Sequence, residues 1–567
     1  MQNKKSLITT ALIAALGFTA NAQLPAKFSM NGLGRSYINY NKLGGNIMNG
    51  DTKTHSEGLG GYNLFDLKNN LAIDSMFQAS AEFRVRSEFG AFFGSNTTFK
   101  FRQFKMMGTV GEFKYEVGDI RLQMTPFTVY NFCDMYNKYE GEIFKVRRAV
   151  TEYENMNQGN GWLLQGAHLQ YKHDFTNWGI GAYGFVTRTS PTNDANISDR
   201  LLSGARVAAH LGESLKLGAN YVGLTDVDIQ STQFSYKNYV GTGDIDYTKI
   251  SDAGILNIHF EGGASSFNYS DVIADSSKKY QDFFLDLRAS YALPSSGLKF
   301  SAGYTNVGPY YNSPTAQTRR VADNQNPSLF GMVSNATVQR TPILFDRLTS
   351  EQVYNAKISG VLTPFMNEYN NAQPYGKATP NRTGASITIA SDTTMKNICF
   401  EVGADFLKEI IGEGITDLRS FMVVKGGVKL QLGKMLEWNR KFDVSVGGRM
   451  EQTTRKGSGT IDLMSTVADA GLSFELAKKL DLLLGYKMLT ANGNEFQAPR
   501  NDFNQVVNIT AVNIASNQSI ASGGLQLRFS PMQAFSVNYN MVTYNNTEAS
   551  ANSYNFSQFF LMYQGKF

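Results

Sequence analysis

The chain has 567 residues, with 53 Lys and Arg against 48 Asp and Glu, so its formal charge of +5 is small for its size. That balance excludes an electrostatic case for nucleic-acid binding. Aromatic residues make up 12%, with 39 Phe and 28 Tyr, while glycine is abundant at 53 and proline scarce at 13, a mixture suited to many long strands with aromatic girdles.

Residues 1–22, MQNKKSLITTALIAALGFTANA, read as a secretory signal peptide. Lys4 and Lys5 form the basic region, Leu7 to Phe18 is mostly apolar, and Ala20-Asn21-Ala22 is a small-x-small cleavage pattern. The apolar core is too short to cross a bilayer as a helix. Cleavage before Gln23 leaves 51 Lys and Arg against 48 acids, and no cysteine lies near the cut to carry a lipid. Cys133 and Cys399 then reach an oxidising compartment, where their separation neither requires nor forbids a disulfide. Beyond the cut no apolar run approaches the roughly 18 residues of a membrane helix. Residues 23–567 therefore read as one domain, either soluble and exported or crossing a membrane with strands.

Two weakly marked strands, 28–41 and 58–66, precede the first clear one at 76–89. There FQASAEFRVRSEF alternates with a period of two. Phe77, Ala79, Ala81, Phe83, Val85 and Phe89 share one face; Gln78, Ser80, Glu82, Arg84, Arg86 and Glu88 share the other. Thirteen residues at ~3.3 Å make about 43 Å, and a tilt near 45° reduces that to roughly 30 Å, the height of a bilayer's hydrocarbon core. Phe83 and Val85 are thus expected to face lipid, and Glu82, Arg84 and Arg86 a watery lumen. An open sheet edge in hydrocarbon would leave backbone groups unpaired, so the strands must close into a barrel.

The pattern recurs at 98–107 and 111–120, then after a long connection, 121–160, at 161–171, 177–188, 200–211, 215–226, weakly at 232–246, and at 255–269, 282–293 and 298–308. The match to G-x-G-x-x-G in WGIGAYG falls inside the strand at 177–188, the wrong place for a dinucleotide loop. Residues 309–383 form the longest gap. Ordered loops of that length are usually functional, and this one is expected to fold into the pore, cap the mouth or bind a partner. Its Arg319 and Arg320 are candidates for the path. A short helix is expected near FDRLTSEQVYN. Further strands follow at 384–391, 397–407, 418–432, 441–452, 462–476 and 480–490. A third long connection, 491–517, leads to 518–529, 535–545 and 554–567.

The expected fold is an all-β, transmembrane, antiparallel up-and-down β-barrel of about 18–22 strands, with short periplasmic turns and long extracellular loops. Tight turns such as Gly212-Glu213-Ser214, Pro294 to Gly297 and Ala477-Lys478-Lys479 all fall on one side. The candidate lumen residues are Glu82, Arg84, Arg86, Lys100, Arg102, Glu401 and Asp405, with Arg319 and Arg320 at a constriction. Mixed signs of this kind either neutralise one another or set ion preference. No H-E-x-x-H, G-x-S-x-G or Walker A pattern occurs, and the five histidines lack metal-ligand spacing. The chain therefore reads as a non-enzyme without cofactor or metal.

The chain ends NFSQFFLMYQGKF, with Phe559, Leu561, Tyr563, Gly565 and Phe567 on one face. This resembles the terminal-strand signal read by the assembly machinery of Gram-negative outer membranes. With the leader, the amphipathic strands and the Asn- and Tyr-rich loops, the whole chain resembles the large porin-like outer-membrane barrels of Bacteroidota-type bacteria. The resemblance implies an outer-membrane location, contact with outer-membrane lipid, recognition by the barrel-assembly machinery through the strand ending at Phe567, and passage of small hydrophilic solutes. The other expectation is a structural or secretion-associated barrel whose loops bind a protein partner. A plugged transporter would need a sizeable N-terminal domain, and only residues 23–75 precede the first clear strand.

Overall fold

The computed structural model describes residues 26–49, 55–89, 96–132, 137–156, 159–190, 198–227, 234–271, 275–317, 343–349, 358, 360, 362–363, 365–391, 395, 397–457, 459–501 and 505–567. Among these residues, 22 strands form a single antiparallel sheet that closes on itself. Each strand pairs with the next. The first, β1 (Lys27–Gly44), pairs with the last, β22 (Tyr554–Lys566), from Leu33↔Lys566 to Gly44↔Asn555. The leader expected at 1–22 lies outside the described residues.

Every strand expected from the alternation is present, the weak ones included: β2 is Glu57–Ala72 and β10 is Phe234–Ser251. The expectation fails at strand ends. Residues 491–517 were expected as a long loop, yet β19 runs Leu480–Gln497 and β20 runs Thr510–Ser530. At ~3.3 Å per residue, the 21 residues of β20 reach about 70 Å, far beyond a hydrocarbon core. Outside that core a strand needs no apolar face, so its sequence loses the alternation that marks it.

The two faces are inverted relative to a soluble protein. Phe101 (66% exposed) in β4 (Thr97–Val110) and Val402 and Phe406 in β15 (Ile398–Lys408) point outward. In β3 (Gln78–Glu88), Val85 is outward, and Phe83 is half-buried under Phe101, with ring centroids 4.6 Å apart. Inward positions carry the buried polar groups, among them Asp66, Arg84, Asp469 and Lys487. Around the tight turns the outer face is aromatic: Phe175 stacks on Trp178 at 4.1 Å, and Phe567 on Phe65 at 5.4 Å. Phe567 also exchanges backbone hydrogen bonds with Gly32 and so completes the β22–β1 seam.

Candidate functional site

The lumen is occupied by chain. The connection after β5 (Phe113–Leu122), placed outside by the sequence reading, turns inward and carries a helix, α1 (Glu142–Glu154). The described parts of the gap expected at 309–383 also turn inward, and include one helical turn, α2 (Asp346–Thr349), within the FDRLTSEQVYN stretch. A seat for the first loop is cut into the wall by inward glycines on four neighbouring strands. Gly427 pairs with Gly447, and a Cβ on either would lie 2.4 Å from Asn137. Gly471 pairs with Gly485; a Cβ on Gly471 would lie 2.4 Å from the Gly141 backbone, and one on Gly485 2.6 Å from Ile143. Those strands are β16 (Ser420–Gln431), β17 (Phe442–Arg455), β18 (Ile461–Ala477) and β19.

Charges anchor the loop at both ends of α1. At its C-terminal end, Glu154 joins Arg35 of β1 and Arg84 of β3. Arg84 donates a fork of two hydrogen bonds, 2.7 Å each, to Asp66 of β2, which also accepts from Arg102 at 2.7 Å. Arg102 reaches Glu82 at 2.9 Å and the Tyr153 carbonyl at 2.6 Å. Arg102 is the extra residue of a bulge in β4, where Glu82 faces Gln103 and Phe83 faces Phe101; bulges of this kind re-aim a side chain. The Tyr153 ring lies 4.3 Å from the Arg102 guanidinium carbon, within cation–π range. At the other end, Glu140 accepts two 2.9 Å hydrogen bonds from Arg148 and pairs with Lys487 of β19, while Asn137 donates to Asp469 at 2.8 Å. Burial pushes the Glu140 carboxyl up, but the Arg148 and Lys487 charges outweigh it and hold it down at about 2. Midway along α1, burial pushes the Arg147 guanidinium down to about 9.

The second loop interlocks with the first. Tyr311 donates to the Phe127 carbonyl at 2.6 Å, Thr315 to the Thr128 carbonyl at 2.6 Å, and the Trp162 indole to the Thr315 carbonyl at 2.8 Å. Phe127 stacks on inward Phe284 at 3.9 Å. Farther along, the Ala372 amide donates to Glu451 at 2.8 Å and the Leu344 amide to Gln518 at 2.9 Å. Four apolar clusters result inside the barrel, among them one around Phe127 and Tyr311 and another around Ile143, Phe144 and Phe345. Burying each such Phe contributes about 1.5–3 kcal/mol. The sequence reading expected a wet, charged lumen and contained no such clusters, because inward apolar residues look like interruptions of an alternation until a loop covers them.

Two of the cavities left among the described residues bear on the site. One of about 830 Å³ sits at the long-loop end, rimmed by Tyr310, Phe365, Glu413, Arg419 and Arg500. There Arg419 pairs with Glu409, Glu413 and Glu495 at 3.0–3.1 Å, and Arg500 with Glu413 at 2.6 Å. The other, of about 260 Å³, lies between α1 and the wall toward the tight-turn end.

Of the residues singled out from sequence, Glu82, Arg84 and Arg102 meet in the Asp66–Glu154 cluster. Arg86 pairs with Glu88 at 2.7 Å and lies over the Tyr62 ring. Lys100, opposite Arg84 in register, is exposed. Glu401 pairs with Lys138 of the inward loop at 2.9 Å and Asp405 with Lys425 at 3.3 Å, so the structure does not bring these two to the arginine cluster. Arg319, Arg320 and Cys133 lie outside the described residues; Cys399 stands in β15. Asp66, Glu140, Arg147, Tyr153 and Glu154 went unnoticed. The helix that holds three of them had a signal: EIFKVRRAVTEYE is rich in helix formers, with Ile143, Val146 and Val150 at helical spacing.

No protein-family model matches the chain, and no curated protein matches it. Solved structures similar to it include Pseudomonas aeruginosa OccK8 (OprE), at 8% identity and a TM-score of 0.36 over 95% of this chain and 98% of that one. A BenF-like porin from Pseudomonas fluorescens Pf-5 shows 7% identity and a TM-score of 0.35 over 95% and 99%. The outer-membrane channel DcaP of Acinetobacter baumannii shows 11% identity and a TM-score of 0.28 over 96% and 99%. At these values the likeness carries no inference about function.

Proposed function

We propose that the chain is a porin-like outer-membrane channel for small hydrophilic solutes, narrowed by its two inward loops. The observation that carries this reading is the closed 22-strand barrel with an apolar outer face and a buried, charged inner face. Barrels of 16–18 strands already leave an aqueous channel and 22-stranded ones hold a plug; here the narrowing comes from loops continuous with the wall. The exposed outer apolar row supports a lipid boundary, and the aromatic ring around the tight turns supports an interfacial girdle. The Asn- and Tyr-rich loops and the terminal Phe567 support a place among the large porin-like barrels of Bacteroidota-type bacteria.

Purified protein in planar bilayers tests the reading. The expected outcome is small, discrete conductance steps that grow when the loop between Tyr311 and Tyr375 is shortened. If both the wild type and the shortened protein are electrically silent, the channel reading fails in favour of a barrel that binds a protein partner through its loops.

A further inference from the structure

The smaller cavity contains a charge that the fold does not satisfy. Arg147 of α1 is 5% exposed, and among the described residues no carboxylate lies within ion-pairing distance of its guanidinium. Its Nη2 donates to the Asn540 side-chain oxygen, and its plane lies over the Phe560 ring at 4.7 Å. Its Nε and Nη1 have no hydrogen-bond partner. By contrast, buried Arg35 and Arg84 reach Glu154 and Arg419 reaches three carboxylates, while buried Arg382, which pairs with none, spends its donors on the carbonyls of Asn371, Ala372 and Asn381. A cation left without an anion in a buried site is costly, and an anionic ligand that enters with it relieves that cost.

The walls state which anion fits. Arg147 shares the roughly 260 Å³ cavity with Tyr37, Asn39 and Asn538 and, farther along the same strands toward the long-loop end, with Phe556 and the Phe345 packed on it. The one acid in the lining, Asp346, already accepts from the Ile343 amide at 2.6 Å. A single guanidinium balances one negative charge of a ligand and leaves a second uncompensated, and Asp346 in the same lining repels it further, which disfavours a phosphate dianion. The aromatic side accommodates a carbon skeleton, and the phenol and amides supply further polar partners.

We propose that this cavity is a solute-binding site for a small organic monocarboxylate, with Arg147 holding the carboxylate and the Phe345 side holding the apolar body. That the bound molecule is a transported solute rests on the channel reading; the binding does not. Calorimetric titration of the full-length protein in detergent tests it, with pentanoate as probe and pentanamide and inorganic phosphate as comparisons. Pentanoate is expected to bind one per chain, at least tenfold more tightly than either comparison, with Arg147→Gln lowering its affinity at least tenfold and Arg147→Lys less. Equal binding of pentanoate and pentanamide by the wild type overturns the proposal without need of a variant, as does unchanged pentanoate affinity in a folded Arg147→Gln protein. Conductance without pentanoate binding removes the site and leaves the channel; pentanoate binding without conductance removes the channel and leaves the site.

Discussion

Arg84 illustrates how one residue can be read correctly for direction and still be missed for purpose. The alternation in FRVRSEF places it inward, and it is inward. One partner, Asp66 18 residues before, stands directly opposite it across the β2–β3 hairpin, but the other, Glu154 70 residues after, reaches it only through inward folding of a loop. No periodicity carries that information. The outer face is simpler, because lipid demands only apolarity. Val402 stands near the middle of β15 and faces outward. Val402→Arg is expected to cost about 2–4 kcal/mol, read as a lower folded fraction in a denaturant titration in lipid vesicles. Glu140 makes a pH-dependent contribution. Its folded-state pKa, about 2, lies below the ordinary 4.5, so its stabilisation is complete above about 4.5 and is lost as pH falls toward 2. Hydrogen-exchange protection of residues 137–148 should hold down to pH 5 and decline below 4.5. In Glu140→Gln it should already be reduced at neutral pH.

At the scale of elements, the barrel strands were legible and α1 was not. A strand between lipid and water shows a period of two over ten or more residues, a signal strong enough to find even β1 and β2. A helix enclosed within a lumen meets wall, water and a second loop on different sides, so its apolar stripe is narrow and interrupted by Arg147 and Thr151, both buried. The wall is the clearer witness, with glycines on four adjacent inward positions where a side chain would strike the loop. Two changes should free α1 by different routes. Glu154→Gln removes one member of a buried ionic cluster, a loss of about 3–5 kcal/mol. Gly471→Val leaves the charges intact and places a side chain in the space taken by Gly141. Limited proteolysis should cut within 137–156 faster in both variants while the strands remain resistant. If cleavage is unchanged in both, the helix is held by contacts other than these.

For the whole molecule, strand number and order followed from the sequence because closure and a lipid boundary leave few alternatives. What fills the interior did not follow, because loops are free of that constraint and settle by packing against distant residues such as Phe284 and Gln518. The route of α1 has a consequence in time. From inside, it touches Arg35 and Arg84 on one side of the β22–β1 seam, and Asn540, on β21 (Gln533–Asn546), and Lys487 on the other. The surface that residues 137–156 bind is shared between the first strands and β19 to β22, so half of it is missing until the last strands have joined the sheet. Docking can be completed only once the first and last strands have met. Until then the lumen stays unfilled and the loop open to proteases. The helix is thus an internal brace set last, and it couples the maturity of the interior to the closing of the wall.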